Sequence, residues 1–422
     1  MIQRIKNNAF ARNSLILFIG TMTANVLNYV FHLVIGRMVS AEVYGEVESL
    51  VSLIAIISVP AATLTMVATK FSAANKAEND RVGSSEIMKY FNRKIFVYGL
   101  PVFIVAVAIS PFIKNFLKIE SVWPLILVWI MMFLSFLAAV TSGIINGWQK
   151  FKDASWMGIF SAVIKLVAAV FLVKLGFAVN GVIGGFALGA LVSYALSLYF
   201  LRFIKDGEKN NKNTVSNTNF FPIKRYIIPV FIGNLAINIL SNADMVLAKH
   251  NLDSISAGQY GALTVVSKVI FFATGIIGTV LFSMSAEDNH KKNNSKSTFK
   301  HAFCLMSVVS AGAIFFYLLF PEFILAMLFG DKYRDVSNYL IWFAISVTLF
   351  SFVNLVFQYL ISIHKTDIAY VLLVVSVLAS LAVLFVGRGI FAIISIMITA
   401  QASALILGAY YVYKNRKEAY GR

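Results

Sequence analysis

Ser40-Ala41-Glu42-Val43-Tyr44-Gly45 returns about half a chain later as Ser256-Ala257-Gly258-Gln259-Tyr260-Gly261. Upstream, Phe18-Ile19-Gly20 recurs as Phe231-Ile232-Gly233, and at the same offset Asn25 and Leu27 recur as Asn238 and Leu240. The offset slips in the intervening loop, and a third echo, Ser135-Phe136 against Ser351-Phe352, keeps the later register. One short match in apolar sequence arises easily by chance. Three in the same order at nearly constant offset mark a duplicated unit, and duplication inside a membrane protein points first to a transporter.

The membrane is legible in the composition. The chain is 59% hydrophobic and 13% charged, with a mean hydropathy of +0.80, far from a soluble domain. Apolar runs of about 20 residues, enough to cross the hydrocarbon core, recur along its length. They predict an all-α protein with twelve spans: 14–36, 47–68, 95–117, 122–146, 157–177 and 180–203, then 226–248, 258–284, 302–323, 337–363, 368–387 and 391–413. Six spans per half mean that both copies enter the membrane in the same direction. Parallel repeats of this kind are related by an axis along the membrane normal, with a cleft expected between two lobes, 1–204 and 226–422. The linker between them, 205–225, is polar and rich in Asn and Lys.

A formal net charge of +17 invites a nucleic-acid reading, which the placement of the charge opposes. Of 36 lysines and arginines, seven (Arg37, Lys114, Lys118, Lys249, Lys332, Arg334 and Arg388) fall on one side of the expected membrane. Lys165, Lys174 and Lys268 lie within spans, and the remaining 26 fall on the side of the N-terminus. By the positive-inside rule this asymmetry puts both termini in the cytoplasm. The single cysteine, Cys304, excludes an internal disulfide. The five histidines show no metal-ligand spacing, and no nucleophile stands with a positioned base. No enzyme, cofactor or metal centre is expected.

Polar residues inside the spans are the site candidates. Thr21, Asn25, Asn28 and His32 recur at helical spacing on one face of the first span, and Asn234, Asn238 and Ser241 echo them in the seventh. Such a stripe avoids lipid: it lines a watery cavity or bonds to neighbouring helices. Ser351, Asn354 and Gln358 form another in the tenth span. Lys268 is the sharpest residue, about ten residues or roughly 15 Å into its span, too deep to snorkel comfortably. A lysine there costs a few kcal/mol unless it meets water, a partner or an anionic ligand. Lys165 lies nearer an end. Arg37 and Asp244 read as rim or gating residues, with shallow Glu46 and Glu48 as partners for Arg37. Pro60 removes a backbone hydrogen bond within the second span and favours a kink, with Gly275 and Gly278 at the matching depth of the eighth. Gly181, Gly185 and Gly189 line one face of the sixth span, a pattern of close helix packing.

At these residues a family resemblance emerges. Ile35-Gly36-Arg37-Met38-Val39-Ser40-Ala41-Glu42-Val43-Tyr44-Gly45 resembles the end of the first helix and the following loop of Wzx-type polysaccharide flippases, with Val39-Ser40 where those usually carry Leu-Gly. Asn242-Ala243-Asp244 with Ala257-Gly258-Gln259-Tyr260-Gly261-Ala262, and the segment from Gly147 to Phe200, are also similar to that family. The resemblance implies the MATE/MurJ-like fold, two six-helix bundles in a V that alternate between openings. It further implies a polyprenyl-diphosphate-linked oligosaccharide as cargo, a cationic cavity, and a place in the bacterial cytoplasmic (inner) membrane.

Amide and hydroxyl stripes suit sugar hydroxyls, and Lys268 suits a diphosphate. Membrane lipids, a coupling ion (proton or sodium) and polysaccharide polymerase machinery are the other partners considered; nucleic acid is not. A lipid II flippase, a cation-coupled multidrug exporter of the same fold and a membrane scaffold for glycan assembly stay open as rivals. An exporter of apolar cations calls for buried acids, and few are visible within the spans.

Overall fold

A computed structural model describes residues 9–202, 204, 224–290, 295–363 and 365–420. The expected linker, up to residue 223, lies outside the described residues. In chain order the α-helices are α1 (Ala9–Met38), α2 (Ala41–Ile57), α3 (Val59–Ala77), α4 (Arg81–Lys94), α5 (Leu100–Leu117), α6 (Trp123–Gly147), α7 (Phe151–Lys174) and α8 (Ala178–Phe200). There follow α9 (Lys224–Asn251), α10 (Ser254–His290), α11 (Ser295–Leu319), α12 (Pro321–Phe329), α13 (Leu340–Ser362), α14 (Ile368–Val386) and α15 (Ile390–Tyr420). The protein is all-α, and among the described residues twelve helical stretches are long and apolar enough to cross a membrane, in the order the hydropathy predicts.

Contacts divide the chain into two compact units. One holds α1 and α3–α8; the other holds α2 and α9–α15, the chain changing unit at Val39/Ser40 and again at Ile56/Ile57. The same neighbours recur in both. In the first unit α1 packs on α7, α3 on α6, α5 on α6, α6 on α8 and α7 on α8; in the second α9 packs on α14, α10 on α13, α11 on α13, α13 on α15 and α14 on α15. The duplication written in the sequence is thus a duplication of packing.

Glycines make the tight approaches. A Cβ on Gly143 would stand 2.5 Å from the Ala68 Cβ and 2.7 Å from the Thr65 carbonyl oxygen, so α6 lies directly on the backbone of α3. The expected stripe of the sixth span does the same against α7: a Cβ on Gly185 would meet the Lys165 carbonyl oxygen at 2.7 Å. In a membrane, where apolar burial does not drive helices together, close backbone approach supplies the dispersion contacts that do.

Pro60 falls at the second position of α3, and the second span is interrupted as the missing N–H predicts: α2 ends at Ile57 and Ser58 stands between the two helices. Gly275 and Gly278 leave α10 unbroken, because glycine keeps its N–H and with it the hydrogen-bond ladder. Two features are not visible in the hydropathy. A π-helical turn, Ile95–Gly99, widens the third span immediately before Pro101. After α11 ends at Leu319, the short α12 and a 3-10 helix, Asp331–Tyr339, separate it from α13.

Candidate functional site

Each unit holds a lysine within its helices, and an asparagine from the leading helix of the repeat accepts its hydrogen bond. In the first unit Lys165 of α7 is 8% exposed. Its Nζ donates to Asn28 Oδ1 of α1 at 2.5 Å. The same ammonium sits 4.5 Å from the ring centroids of both Phe31 and Phe186. Two aromatic faces stabilise a cation that has left bulk water, by about 0.5–2 kcal/mol each. In the second unit Lys268 of α10 donates to Asn242 Oδ1 of α9 at 3.0 Å. Among the described residues Lys268 makes no ion pair closer than 4 Å. An amide acceptor satisfies a donor without itself bringing charge; the negative charge that acts on Lys268 comes from Asp244 and Glu48.

Lys268 lines a cavity of about 30 Å³ with Asp244, Ser241, Tyr260, Thr264, Ser346 and Gln401. Asp244, expected at a rim, stands in this cavity because Tyr260 O–H donates to its Oδ2 at 2.6 Å. Ser346 closes another side by donating to Gln401 Oε1 at 2.7 Å.

The other candidates divide. Ser241 joins Lys268 in the cavity. Asn238 Nδ2 donates to the Asn234 carbonyl, and Asn242 Nδ2 to the Asn238 carbonyl, each at 3.0 Å, so part of the stripe is satisfied by its own helix. Asn28 is half-buried on Lys165, His32 is half-buried with its ring edge-to-face on Phe31, and Asn25 is exposed. Asn354 and Gln358 are half-buried on α13, and Gln358 lies against Gly278 of α10. Arg37 and Pro60 are exposed. Glu46, read as a partner for Arg37, lies 3.9 Å from Lys249, whose side chain is 1% exposed. Glu48, read as shallow, is 3% exposed, with its Cβ and Cγ on Gly261.

Asn242, Tyr260, Phe31 and Phe186 were not singled out by their chemistry. Asn234, Asn238 and Asn242 follow at intervals of four, a spacing that signals the third of them. Tyr260 belongs to the repeated hexapeptide itself. Nothing local in the sequence marks the two phenylalanines, because only the packing of α1 and α8 around α7 makes them a pair.

A family model described as "Polysaccharide biosynthesis protein" matches residues 10–287. Among solved structures, an inward-facing multidrug resistance MATE family transporter of the MOP superfamily is similar with a TM-score of 0.75 at 14% identity, over 93% of this chain and 96% of that one. An outward-facing structure of a transporter of the same description gives 0.60 at 17% identity, over 97% and 96%. A MATE protein in complex with MaL6 gives 0.63 at 13% identity, over 96% and 97%. At such identities the likeness shows the fold. No curated protein matches the sequence.

Proposed function

The chain belongs to the polysaccharide biosynthesis protein family, and from that premise we propose that it flips a polyprenyl-diphosphate-linked oligosaccharide across the cytoplasmic membrane by alternating access, without altering it chemically. The observation that carries this reading is the pair of amide-held lysines, one in each unit, on a fold shared with MATE transporters. The lipid-linked head group cannot enter hydrocarbon unaided, because its diphosphate is charged and its sugars are dense in hydroxyls. Its polyprenyl tail can remain in lipid. A protein that moves it has to offer the head group positive charge and polar side chains, and leave the tail outside. Lys268 and Lys165 supply the charge in this reading; Asn25, His32, Ser241, Asn354 and Gln358 are the side chains nearest in kind to what sugars need.

Export of apolar cations is the rival. It gains the carboxylates of half-buried Asp244 and buried Glu48, but both act electrostatically on Lys268, and Asp244 shares a cavity with it. A site whose acids are already faced by a lysine suits a free cation poorly.

Lys268→Met keeps an unbranched stem while deleting the charge. Glycan export should fall and lipid-linked intermediates accumulate on the cytoplasmic leaflet at normal protein level, while Lys268→Arg retains part of the activity. Wild-type export by the Met variant removes Lys268 from the mechanism. Loss of resistance to cationic drugs on deleting the protein, with glycan export intact, overturns the reading altogether.

A further inference from the structure

Helix α4 turns one face to the first unit and another away from it. Gly83, Ser84, Ser85 and Ile87 are buried, while Lys89, Tyr90, Arg93 and Lys94 are exposed. Lys89 with Arg93 and Tyr90 with Lys94 are pairs four apart, so they form neighbouring rows on one face. The π-helical turn Ile95–Gly99 carries this face on into the third span. Four residues of α-helix overshoot one turn by about 40°, so on an unbroken helix Tyr98 would stand about 80° round from Tyr90. A π turn closes from i to i+5 and holds more residues, which takes much of that advance back. The outcome is a lysine between two tyrosines: Lys94 Nζ is 5.7 Å from the ring centroid of Tyr90 and 5.3 Å from that of Tyr98.

Those distances are near the outer limit of a cation–π contact, in contrast to the 4.5 Å at Lys165, so the rings position the ammonium and leave it open to an anion. Its charge is not offset along the helix: from Arg81 to Leu117 the one acid is Glu86, about two turns before Lys94. An ammonium flanked by tyrosine hydroxyls is a donor set for phosphate oxygens. Directly beyond it the surface becomes apolar, with Phe96, Val97, Leu100 and Val102 exposed at the start of the span. A second pair stands at the same end of the unit: exposed Arg202 lies 4.6 Å from the Tyr199 ring, and Leu201 beside it shares a core cluster with Ile95 of the π turn. Basic loop residues obey the positive-inside rule without any particular geometry, so topology alone does not account for a π turn that seats one lysine between two rings.

We propose that this face binds an anionic phospholipid of the leaflet on the N-terminal side. Lys94 takes the phosphate between Tyr90 and Tyr98, Lys89 and Arg93 add charge beside it, and the acyl chains run along Phe96 and Leu100. A phospholipid carries its two halves in the order the surface presents them, charge first and hydrocarbon after. The basic rows select for net negative charge, because a zwitterionic head group brings an ammonium of its own that they repel. The site belongs to the first unit alone and does not depend on what the cargo is.

Native mass spectrometry of the purified full-length protein, titrated in detergent with phosphatidylglycerol or phosphatidylethanolamine, tests this. The parent should bind phosphatidylglycerol the more tightly, and Lys94→Gln should weaken that binding about fivefold while leaving phosphatidylethanolamine unchanged. Lys152→Gln, at an exposed position near the start of α7, should behave like the parent. Parent-like binding by Lys94→Gln overturns the proposal. So does an equal loss in Lys152→Gln, which would make the attraction one of diffuse charge. Glycerol phosphate at matched concentration should not displace the lipid; displacement would mean a phosphate site with no need of acyl chains. If Lys94→Gln does not purify as a single species, Tyr98→Leu decides: weaker phosphatidylglycerol binding is expected, and parent-like binding overturns the site.

Discussion

Asp253 shows how much one side chain outside the membrane contributes at a helix start. Its Oδ1 accepts from the backbone N–H groups of Ser256 at 3.0 Å and Ile255 at 3.1 Å, satisfying two of the donors that the first turn of α10 leaves open. The Ser256 hydroxyl and backbone N–H hold the carboxyl below the usual range, because these hydrogen bonds favour its charged form. The sign follows from that direction. The stabilisation is complete above the ordinary carboxylate range and is lost as pH falls through the lowered value. Asp253→Ala should therefore cost about 1 kcal/mol near neutral pH, read as a lower Tm of the detergent-solubilised protein. The difference from the parent should close in strongly acidic buffer. An equal deficit at both pH values would mean that the side chain acts through packing. The cap, like the polar stripes, is legible in the sequence because both depend on spacing along one helix. The Asp244–Tyr260 bond is not, since its members come from different helices and meet only once α9 and α10 pack together.

At the scale of helices, α2 depends on a glycine it does not contain. A Cβ on Gly258 would stand 1.9 Å from the Ala41 carbonyl oxygen, and one on Gly45 would stand 2.8 Å from the Gly258 backbone nitrogen. The two copies of the repeated hexapeptide thus touch backbone to backbone, which accounts for a glycine in each at the contact. The same seating buries Tyr44 edge-on against Phe329 and Tyr333, and leaves Ser49 and Leu50 0% exposed. Gly258→Ala cannot be absorbed by a side-chain rotation, because what it meets is backbone; α2 has to shift. In a background with the exposed Cys304 replaced by serine, Ser49→Cys should resist a maleimide, and adding Gly258→Ala should make it react. Continued resistance would show that α10 moves instead and α2 stays seated. Hydropathy locates the second span but not this division of it. The break at Ser58 follows from Pro60, whereas the seating of α2 with α9–α15 is a matter of contacts far apart in sequence. Helix α12 escapes the same reading because nine residues between Phe320 and Gly330 are too few to form a span of their own.

The whole molecule repeats its neighbours because it repeats its sequence, and the parallel sense of the repeats has a consequence for charge. An even number of spans per copy returns the chain to the same side after each, so the loops that follow α3 and α10 share a side, and the linker joins them there. The segments around those turns, Lys70 to Lys94 and Glu287 to Lys300, and the linker are dense in lysine and arginine, which are costly to carry across the membrane against its potential. The turn around Asn79, between α3 and α4, is exposed, as is Glu120 between α5 and α6. In cells carrying the Cys304→Ser parent, a membrane-impermeant maleimide should label Glu120→Cys from outside and leave Asn79→Cys unlabelled until the membrane is opened. A cysteine placed in the linker at Lys209 should behave like the one at Asn79. Labelling of Asn79→Cys in intact cells would invert the orientation and put 26 of the 36 basic residues outside. Labelling at Lys209 alone would require an odd number of spans between Asn79 and the linker, and so break both the six-span count of the first half and the parallel relation that rests on it. The charge asymmetry and the duplication are independent features of the sequence, and only the parallel twelve-span arrangement satisfies both.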